Sequence, residues 1–598
     1  METKKVAAKG ARPKKTVFPW HLGNTTLRNP FRLREGLKVL DNSPLQGNLT
    51  GKENESAFAM ALDAAGVVDI TRADDDVSDL GRKWRSAFTQ LGLITPPIAE
   101  KQGDQAWVGP PYRITPSGAR LLSATTGSAI QEQLLRVLAA YCIPNPWEPR
   151  YQFERFNPLR HALRLIQGVE AAGLEAKLTA LEMAVIVPFT NGQSDLAAVI
   201  REIAALREER KKSTNKKKFD ADAFKAMGAR YSYKPGTFGD YADLNARYLK
   251  ATGIFRASGR GIAIAVERKL LADLLAAQTD VPLDDRSYIQ CLMEGGALPT
   301  DDRAAGKLYL DSLQAIAMAR GLAVDVANRP QATAADISSL AHEVEEAIFE
   351  DKEATFALKQ AEQWEEIILY IDAILTGKTY PAGEVDGEPR FISVPKQERP
   401  AYLEWVLWRA FLAIDSLVNA PGHARKFNVD QEFLPMGCAS GGQPDMVFEF
   451  EDFVMVCEVT LTTHSRQEAA EGEPVRRHVA ETVMEYGAKK KPVYGLFVAV
   501  KVDSNTAETF RIGSWYLPDD TRLTLDVVPI TLEDFREFFR AVFTHGKVDV
   551  KHIRALLDAC CADRAFCGGA PAWKATIGTH IREHIQAYSS TSEAADCT

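Results

Sequence analysis

The spacing of apolar and polar positions divides the chain into three parts: amphipathic helices broken by short extended pairs, a helical middle, and a strand-rich end. Over 80–91 apolar side chains repeat at helical spacing, with Trp84 and Phe88 on one face and Arg82, Lys83 and Arg85 on another. Gly92 closes that helix, Leu93-Ile94-Thr95 and Tyr112-Arg113-Ile114-Thr115 read as strands around a Pro-rich turn, and Pro116 opens a further helix. Helix, strand, turn, strand, helix is the order of a winged helix. The order recurs: a helix over 241–252 ends at Gly253, and 254–257 pairs with 261–264 across Ser258-Gly259-Arg260. Arg247, Lys250, Arg256 and Arg260 line this second module, and helices near 159–172 and 180–187 lie between the two.

From 334 to 377 the chain is acidic and helical. Ile337, Leu340, Val344, Ile348, Phe356, Leu358, Trp364, Ile367, Ile368 and Ile371 fall at spacings of three and four, so one stripe packs. The segment reads as a connector, followed by a boundary loop over 381–400. Alternation is sharpest after it: 446–450 alternates up to a polar tip at Glu451-Asp452, and 453–459 is a β-rich apolar run, which together predict a hairpin. Strands over 493–500 and 523–530 and helices over 532–543 and 550–557 follow. After Gly568 one helix is expected and then an unstructured Ser/Thr-rich end. The fold expected is multidomain α+β: a recognition region with winged-helix-like modules over 1–280, a helical linker over 281–390, and an α/β domain over 391–598.

Composition changes this picture little. With 598 residues, 45% hydrophobic and 25% charged, the chain has the make-up of a globular protein, and no stretch is apolar enough to span a bilayer. Lys4, Lys5 and Lys9 are not followed by the apolar core of a signal peptide. The eight cysteines show no Cys-x-x-Cys spacing, and Cys560, Cys561 and Cys567 lack paired histidines, so reduced thiols and a cytoplasmic location are expected. A net charge of −8 argues against a nucleic-acid partner only on average. Basic side chains gather at Lys14, Lys15, Arg28, Arg32 and Arg34, and again at Arg207, Arg210, Lys211, Lys212, Lys216, Lys217 and Lys218, where phosphate contacts are expected. Trp20 to Pro30 has no period but is dense in donors; Asn24, Thr25, Thr26, Arg28 and Asn29 suit a loop laid on a DNA backbone or groove.

The candidate chemistry lies in the hairpin. Antiparallel pairing across its tight turn brings Asp445, at the start of one strand, to the end of the other, where Glu458 lies. Two converging carboxylates offer the hard oxygens that Mg²⁺ takes. Pro444 fixes the backbone before Asp445, and Gly437, Gly441 and Gly442 leave room for a nucleic-acid backbone to approach. Glu404 lies upstream in a helix with an aromatic face; Glu471, Glu473 and His478 lie downstream.

Pro444-Asp445, a hairpin and Glu458-Val459-Thr460 resemble the PD-(D/E)XK nuclease core, with Thr460 in the place of its Lys. More narrowly, Leu403-Glu404-Trp405-Val406-Leu407-Trp408, Gly441-Gly442-Gln443-Pro444-Asp445-Met446, Glu458-Val459-Thr460, Glu473-Pro474-Val475-Arg476-Arg477-His478 and the polar loop at 20–30 resemble the AlwI family of type IIS restriction endonucleases, which includes nicking relatives. The resemblance implies Mg²⁺-dependent hydrolysis of DNA phosphodiesters at a short fixed distance from a short asymmetric site. It implies Glu404, Asp445, Glu458 and Glu471 as the catalytic set, Asp445 and Glu458 as metal ligands, and His478, with Glu473 behind it, as a proton-handling group. Lys489, Lys490 and Lys491 are another source of the positive charge that Thr460 lacks. The partners implied are double-stranded DNA, a second copy or a small nuclease subunit for double-strand cleavage, and a cognate DNA methyltransferase. The alternatives are a repair or recombination nuclease and a winged-helix regulator with a degenerate nuclease-like domain.

Overall fold

The computed structural model describes residues 17–68, 70, 76–97, 110–147, 150–279, 283–326, 328–385, 388–414, 416–487, 491–546 and 549–595. Lys14, Lys15, Lys489, Lys490 and most of the Pro-rich turn at 98–109 therefore lie outside the described residues. The chain forms a mixed, helix-rich α+β structure of two compact units, Met1–Glu345 and Glu346–Thr598.

In the first unit, helix α1 (Ser78–Gln90) buries Trp84, Ala87 and Phe88. The extended segments after it meet through one antiparallel bridge, Ile94 with Ile114, and helix α2 (Pro116–Ser123) follows. Thr115 caps α2 by accepting from Gly118 N at 3.1 Å, with Pro116 in the first turn where its missing N–H costs nothing. After a helix over Gly127–Ala140 come α3 (Pro158–Ala171), strand β1 (Lys177–Leu178), α4 (Ala180–Val185), α5 (Leu196–Lys212), α6 (Lys216–Tyr231) and α7 (Gly236–Lys250). Strands β2 (Phe255–Ser258) and β3 (Gly261–Ile264) pair antiparallel as the alternation predicts, and β1 joins them in the order β1-β3-β2.

The acidic middle is helical: α8 (Ala334–Leu358), within which the division between units falls, and α9 (Trp364–Thr376). Ile337, Leu340, Val344 and Ile348 are buried, but Leu358, placed on the same stripe by its spacing, is exposed. On α8, His342 Nε2 lies 2.8 Å from Glu132 Oε2 and Nδ1 lies 3.5 Å from Glu345 Oε2. Hydrogen bonds to Glu132 and Glu345 push the imidazole pKa up to about 10. A histidine whose folded pKa is raised adds stability below its unfolded pKa near 6.5 and loses it as pH rises through the folded value. The thermal midpoint of the first unit should therefore fall between pH 6.5 and 10, and less so in His342→Gln. Because the ring is partly open to solvent, the contribution is on the order of 1 kcal/mol. Parallel pH slopes for parent and variant in calorimetry would remove this pairing as a source of stability.

The second unit departs from the pattern first at 381–400, where a loop was expected. A hairpin of β4 (Tyr380–Val385) and β5 (Glu388–Ile392) stands there. Pro381 and Gly383 read as loop formers, but a register shift between Pro381 and Glu384 absorbs them in a two-stranded ribbon. Helix α10 (Arg399–Ile414) is buried from Leu403 onward and runs through the core. Its indole and phenyl rings meet those of Phe356, Tyr370, Phe427 and Phe448.

The central sheet runs, in order, β11 (Asp526–Thr531), β8 (Val493–Ala499), β7 (Val454–Thr460) and β6 (Met446–Glu449). Strands β6 (Met446–Glu449) and β7 (Val454–Thr460) form the predicted hairpin, Met446 opposite Cys457. Parallel neighbours need crossovers, and helices supply them: α11 (Glu473–Gly487) carries β7 to β8 (Val493–Ala499), and α12 (Ser504–Ile512) leads on from β8. Every residue of β8 is buried, which explains its unbroken apolar run. Gly495 is required there: a Cβ on it would lie 2.8 Å from Val479 Cγ2 of α11. The strand expected over 523–530 is two. A small hairpin of β9 (Ser514–Tyr516) and β10 (Arg522–Thr524) precedes β11 (Asp526–Thr531), divided at Leu525 where its N–H turns to Gly513 O at 2.7 Å. Helices α13 (Leu532–Thr544), α14 (Val550–Asp563) and α15 (Ala570–Ala595) complete the unit. The last one corrects the expected unstructured end: Trp573, Ile577, Ile581 and Tyr588 recur at helical spacing and are buried, and the helix runs on through the Ser/Thr-rich stretch to Ala595.

Candidate active site

Three elements and the turn before α11 bring four carboxylates together at the open end of the β6–β7 hairpin, where the parallel strands end. Crevices at the carboxyl ends of such strands are where α/β sheets bind ligands. Asp445 directly precedes β6, and its Oδ2 accepts from Val459 N at 2.9 Å, which pins it across the hairpin beside Glu458. Glu404, on α10 and only 6% exposed, accepts from Ala439 N at 2.7 Å, and the Cys438 thiol also bonds it. Glu471 sits in a π turn (Glu468–Gly472) ahead of α11 and bonds the Thr460 side chain. Such turns are frequent at functional sites because the extra residue re-aims a side chain.

The electrostatics follow from burial and like charge. Burial raises all four pKa values. The charge of Asp445 adds to the rise at Glu404, that of Glu458 adds at Asp445, and that of Glu471 adds at Glu458, which is pushed up to about 8. Among the described residues, no Lys or Arg forms an ion pair with any of the four. His478, buried on α11, places Nδ1 2.6 Å from Glu458 Oε1, while its Nε2 is buried with no partner among the described residues. Burial, then Arg477, lowers its pKa, and the ring shares a single hydrogen bond with the Glu458 carboxyl through Nδ1.

The remaining sequence candidates are elsewhere. Glu473 is exposed and pairs with Arg477 at 3.2 Å. Lys491 binds Glu449 Oε1 at 2.8 Å and Phe450 O at 2.9 Å, by the turn of the hairpin at the end away from Asp445, so it does not stand in for the missing lysine. In the first unit the polar loop at 20–30 lies on α7. Leu22 N donates to Asn245 Oδ1 at 2.7 Å, and Arg28 pairs with Asp240 at 2.7 Å. At Gly23, with φ +60°, a Cβ would come within 2.2 Å of the Tyr248 ring. Asn24 and Asn29 accept from the Thr26 and Phe31 amides, and Thr25 is exposed. Arg82 and Lys83 both pair with Asp79, and Arg85 turns inward to Glu55 at 2.7 Å and to Leu49 O. Arg247 pairs with Asp243 at 3.0 Å. Lys211 and Lys212, ending α5, and Arg256, on β2, are exposed.

Sequence reasoning missed the Ala439 amide, the Thr460–Glu471 bond and Gln467, which precedes the π turn. Only the proximity of Thr460 to Glu458 in the motif signalled any of these.

A cluster of buried carboxylates at strand ends, their pKa values raised by burial and by one another, is equipped to take up a cation or to move protons. A model of the AlwI restriction endonuclease family matches residues 89–538, and the chain belongs to that family of DNA-cutting enzymes. No curated protein matches it. Two solved structures resemble parts of it. The small subunit of the heterodimeric restriction endonuclease R.BspD6I is 21% identical, covering 37% of this chain and 98% of that one at a TM-score of 0.27. The BpuJ1 endonuclease binding domain, solved with pyrene- and phenanthrene-modified DNA, is 11% identical, covering 46% and 96% at a TM-score of 0.31. No helix among the described residues is long and apolar enough to cross a membrane.

Proposed function

We propose that the chain is a type IIS restriction endonuclease that reads a short asymmetric site in double-stranded DNA and cuts a phosphodiester a fixed short distance away. Residues 1–280, with winged-helix-like modules, bind DNA, the region 281–390 links, and 391–598 cut. The observation that carries this reading is the convergence of Glu404, Asp445, Glu458 and Glu471 with no Lys or Arg ion-paired to any of them among the described residues. No three His, Cys, Asp or Glu among the described residues form a chelating group by themselves. Mg²⁺ does not require three, since it is held through one or two carboxylates together with waters and substrate phosphate. Asp445 and Glu458 fit as those two, because converging carboxylate oxygens with no ion-paired cation are the donor set a hard cation takes.

A bound Mg²⁺ would polarise the phosphate and lower the pKa of its water. Asp445 is held for that task by the Val459 amide, and Glu458 by His478. His478 thereby acts as a positioning residue that keeps one Glu458 oxygen engaged and leaves the other to the site. Glu404 and Glu471, with raised pKa values, accept and return protons at the rim.

One such constellation occurs among the described residues, so one chain engages one scissile phosphate. A second copy or a small nuclease subunit would supply the other cut, and a methyltransferase of matching sequence would protect host DNA. Supercoiled plasmid incubated with the chain and Mg²⁺ should convert first to open circles, with linear product later and its rate rising faster than linearly with protein. Run-off sequencing of the nicks should place them at one distance from one asymmetric sequence. Direct linearisation at protein levels below the site concentration would rule out one centre per chain.

A further inference from the structure

We propose that Arg466 and Lys501 form a phosphate clamp on the rim of the central sheet, gripping the backbone of the DNA strand that enters the carboxylate site. The inference deepens the nuclease reading and rests on it for the identity of the ligand.

Arg466 lies in the segment that leaves β7 directly after Thr460, and Lys501 in the segment that leaves β8. Both side chains are exposed, and neither pairs with an acid among the described residues. The two segments are fastened to each other by a single buried side chain. Gln467 is 0% exposed, and its amide nitrogen donates to Thr462 O at 2.5 Å and to Lys501 O at 2.9 Å. Its amide oxygen accepts from Asp503 N at 2.8 Å. A buried primary amide with both ends satisfied by backbone from two different loops acts as a fixed spacer between them.

Each loop is also held at its own base. Thr462 N donates to Thr460 Oγ1 at 3.2 Å, and Lys574 Nζ donates to Val502 O and Ser504 Oγ, both at 3.0 Å. The two cations therefore project from ordered turns whose spacing is set by protein, which is what a positioned phosphate contact needs.

The need for such a contact follows from the site itself. A phosphodiester approaching four carboxylates meets like charge, and at strand ends that repulsion is only partly screened. Thr460 cannot offset it, Lys491 is committed at the far end of the hairpin, and Arg477 is shared between Glu473 and Glu481. Arg466 follows the C-terminal end of β7, the strand that carries Glu458, and Lys501 follows the same end of its parallel neighbour β8. Thr463 and Ser465, exposed in the same turn, add hydroxyl donors suited to phosphate oxygens. Contacts of this type add affinity and register without reading bases.

The test uses the full chain and a 5′-labelled mixed-sequence DNA duplex of about 30 base pairs, with binding followed by anisotropy from about 50 to 200 mM salt, the range over which phosphate contacts weaken measurably. Each lost phosphate contact lowers the slope of log affinity against log salt by about 0.9, so Arg466→Gln with Lys501→Gln should lower it by about 1.8, and Arg466→Lys should restore its share. In plasmid cleavage the double variant should be slower by at least about tenfold, with KM rising more than kcat falls, because a contact made in both ground and transition states is lost. An unchanged salt slope in the double variant overturns the clamp. Failure of the nuclease reading has a different signature: a parent chain that never cuts in divalent metal, whatever the slopes are.

Discussion

Asp445→Asn and Glu458→Gln lose DNA cleavage in Mg²⁺ by roughly three orders of magnitude, the worth of several kcal/mol of metal-borne stabilisation. They should bind the same DNA as tightly as the parent chain. Both changes are nearly isosteric, and an Asn at 445 still offers an oxygen to the Val459 amide, so the hairpin keeps its register. What is lost is charge. The same loss should make the metal-free protein more stable, because the four acids repel one another and are poorly hydrated.

The sign can be checked against pH. A carboxyl whose folded pKa lies above its unfolded value binds more protons in the native state, so stability falls as pH rises between the two values. For Glu458 that window runs from its ordinary 4.5 to about 8. In chelator the parent's thermal midpoint should therefore drop from pH 5 to pH 8, with a flatter profile in Glu458→Gln. Mg²⁺ should raise the parent's midpoint at pH 8 and leave that of the variants nearly unmoved. Full cleavage by both variants would falsify the assignment of the site.

The second large effect is on stability and lies away from the chemistry. Arg409 is 1% exposed in the middle of α10. Its guanidinium donates to Gln360 at 2.6 Å, Gln363 at 2.8 Å and Glu366 at 2.9 Å, and it stacks 4.7 Å from the Trp405 ring centroid. Replacing it with Met leaves the buried Gln360 amide oxygen without its donor, Gln363 with only the Gln360 amide at 3.3 Å, and Glu366 with Arg390 alone. The expected loss is about 3 kcal/mol, the scale for breaking a buried charged network from one side. Urea unfolding should show the transition of the second unit moved to lower denaturant and that of the first unit unmoved. A midpoint within error of the parent's would mean that the core repacks around the vacancy. Because α10 also carries Glu404, activity should fall with stability, and binding measured well below the transition should not.

Much of the candidate site is legible in the sequence, for a local reason. Period-two alternation around Glu451-Asp452 fixes a hairpin, and antiparallel register then sets Asp445 beside Glu458 whatever the rest of the chain does. The central parallel strand was legible too, because a strand buried on both faces has to be apolar throughout, as Val493 to Ala499 is. Glu404 and Glu471 were accessible only through family resemblance, since nothing in their own neighbourhoods points at Asp445. The hairpin at 380–392 was hidden because Pro381 and Gly383 carry loop signals that a two-stranded ribbon tolerates at an irregularity.

Periodicity reports which face of an element is buried, and charge runs report where ions are plentiful. Those local facts determined most of the elements, the hairpin and the pairing of Asp445 with Glu458. Which ion meets which partner is a long-range outcome of packing. Only the folded chain turns Arg85 to Glu55 and Lys491 to Glu449, sets His478 behind Glu458, and ties two strand ends together through Gln467. The strength of each of these pairings is also set by tertiary structure, because burial decides how much water is removed from around a charge and so how far its pKa and its attraction for a partner are shifted.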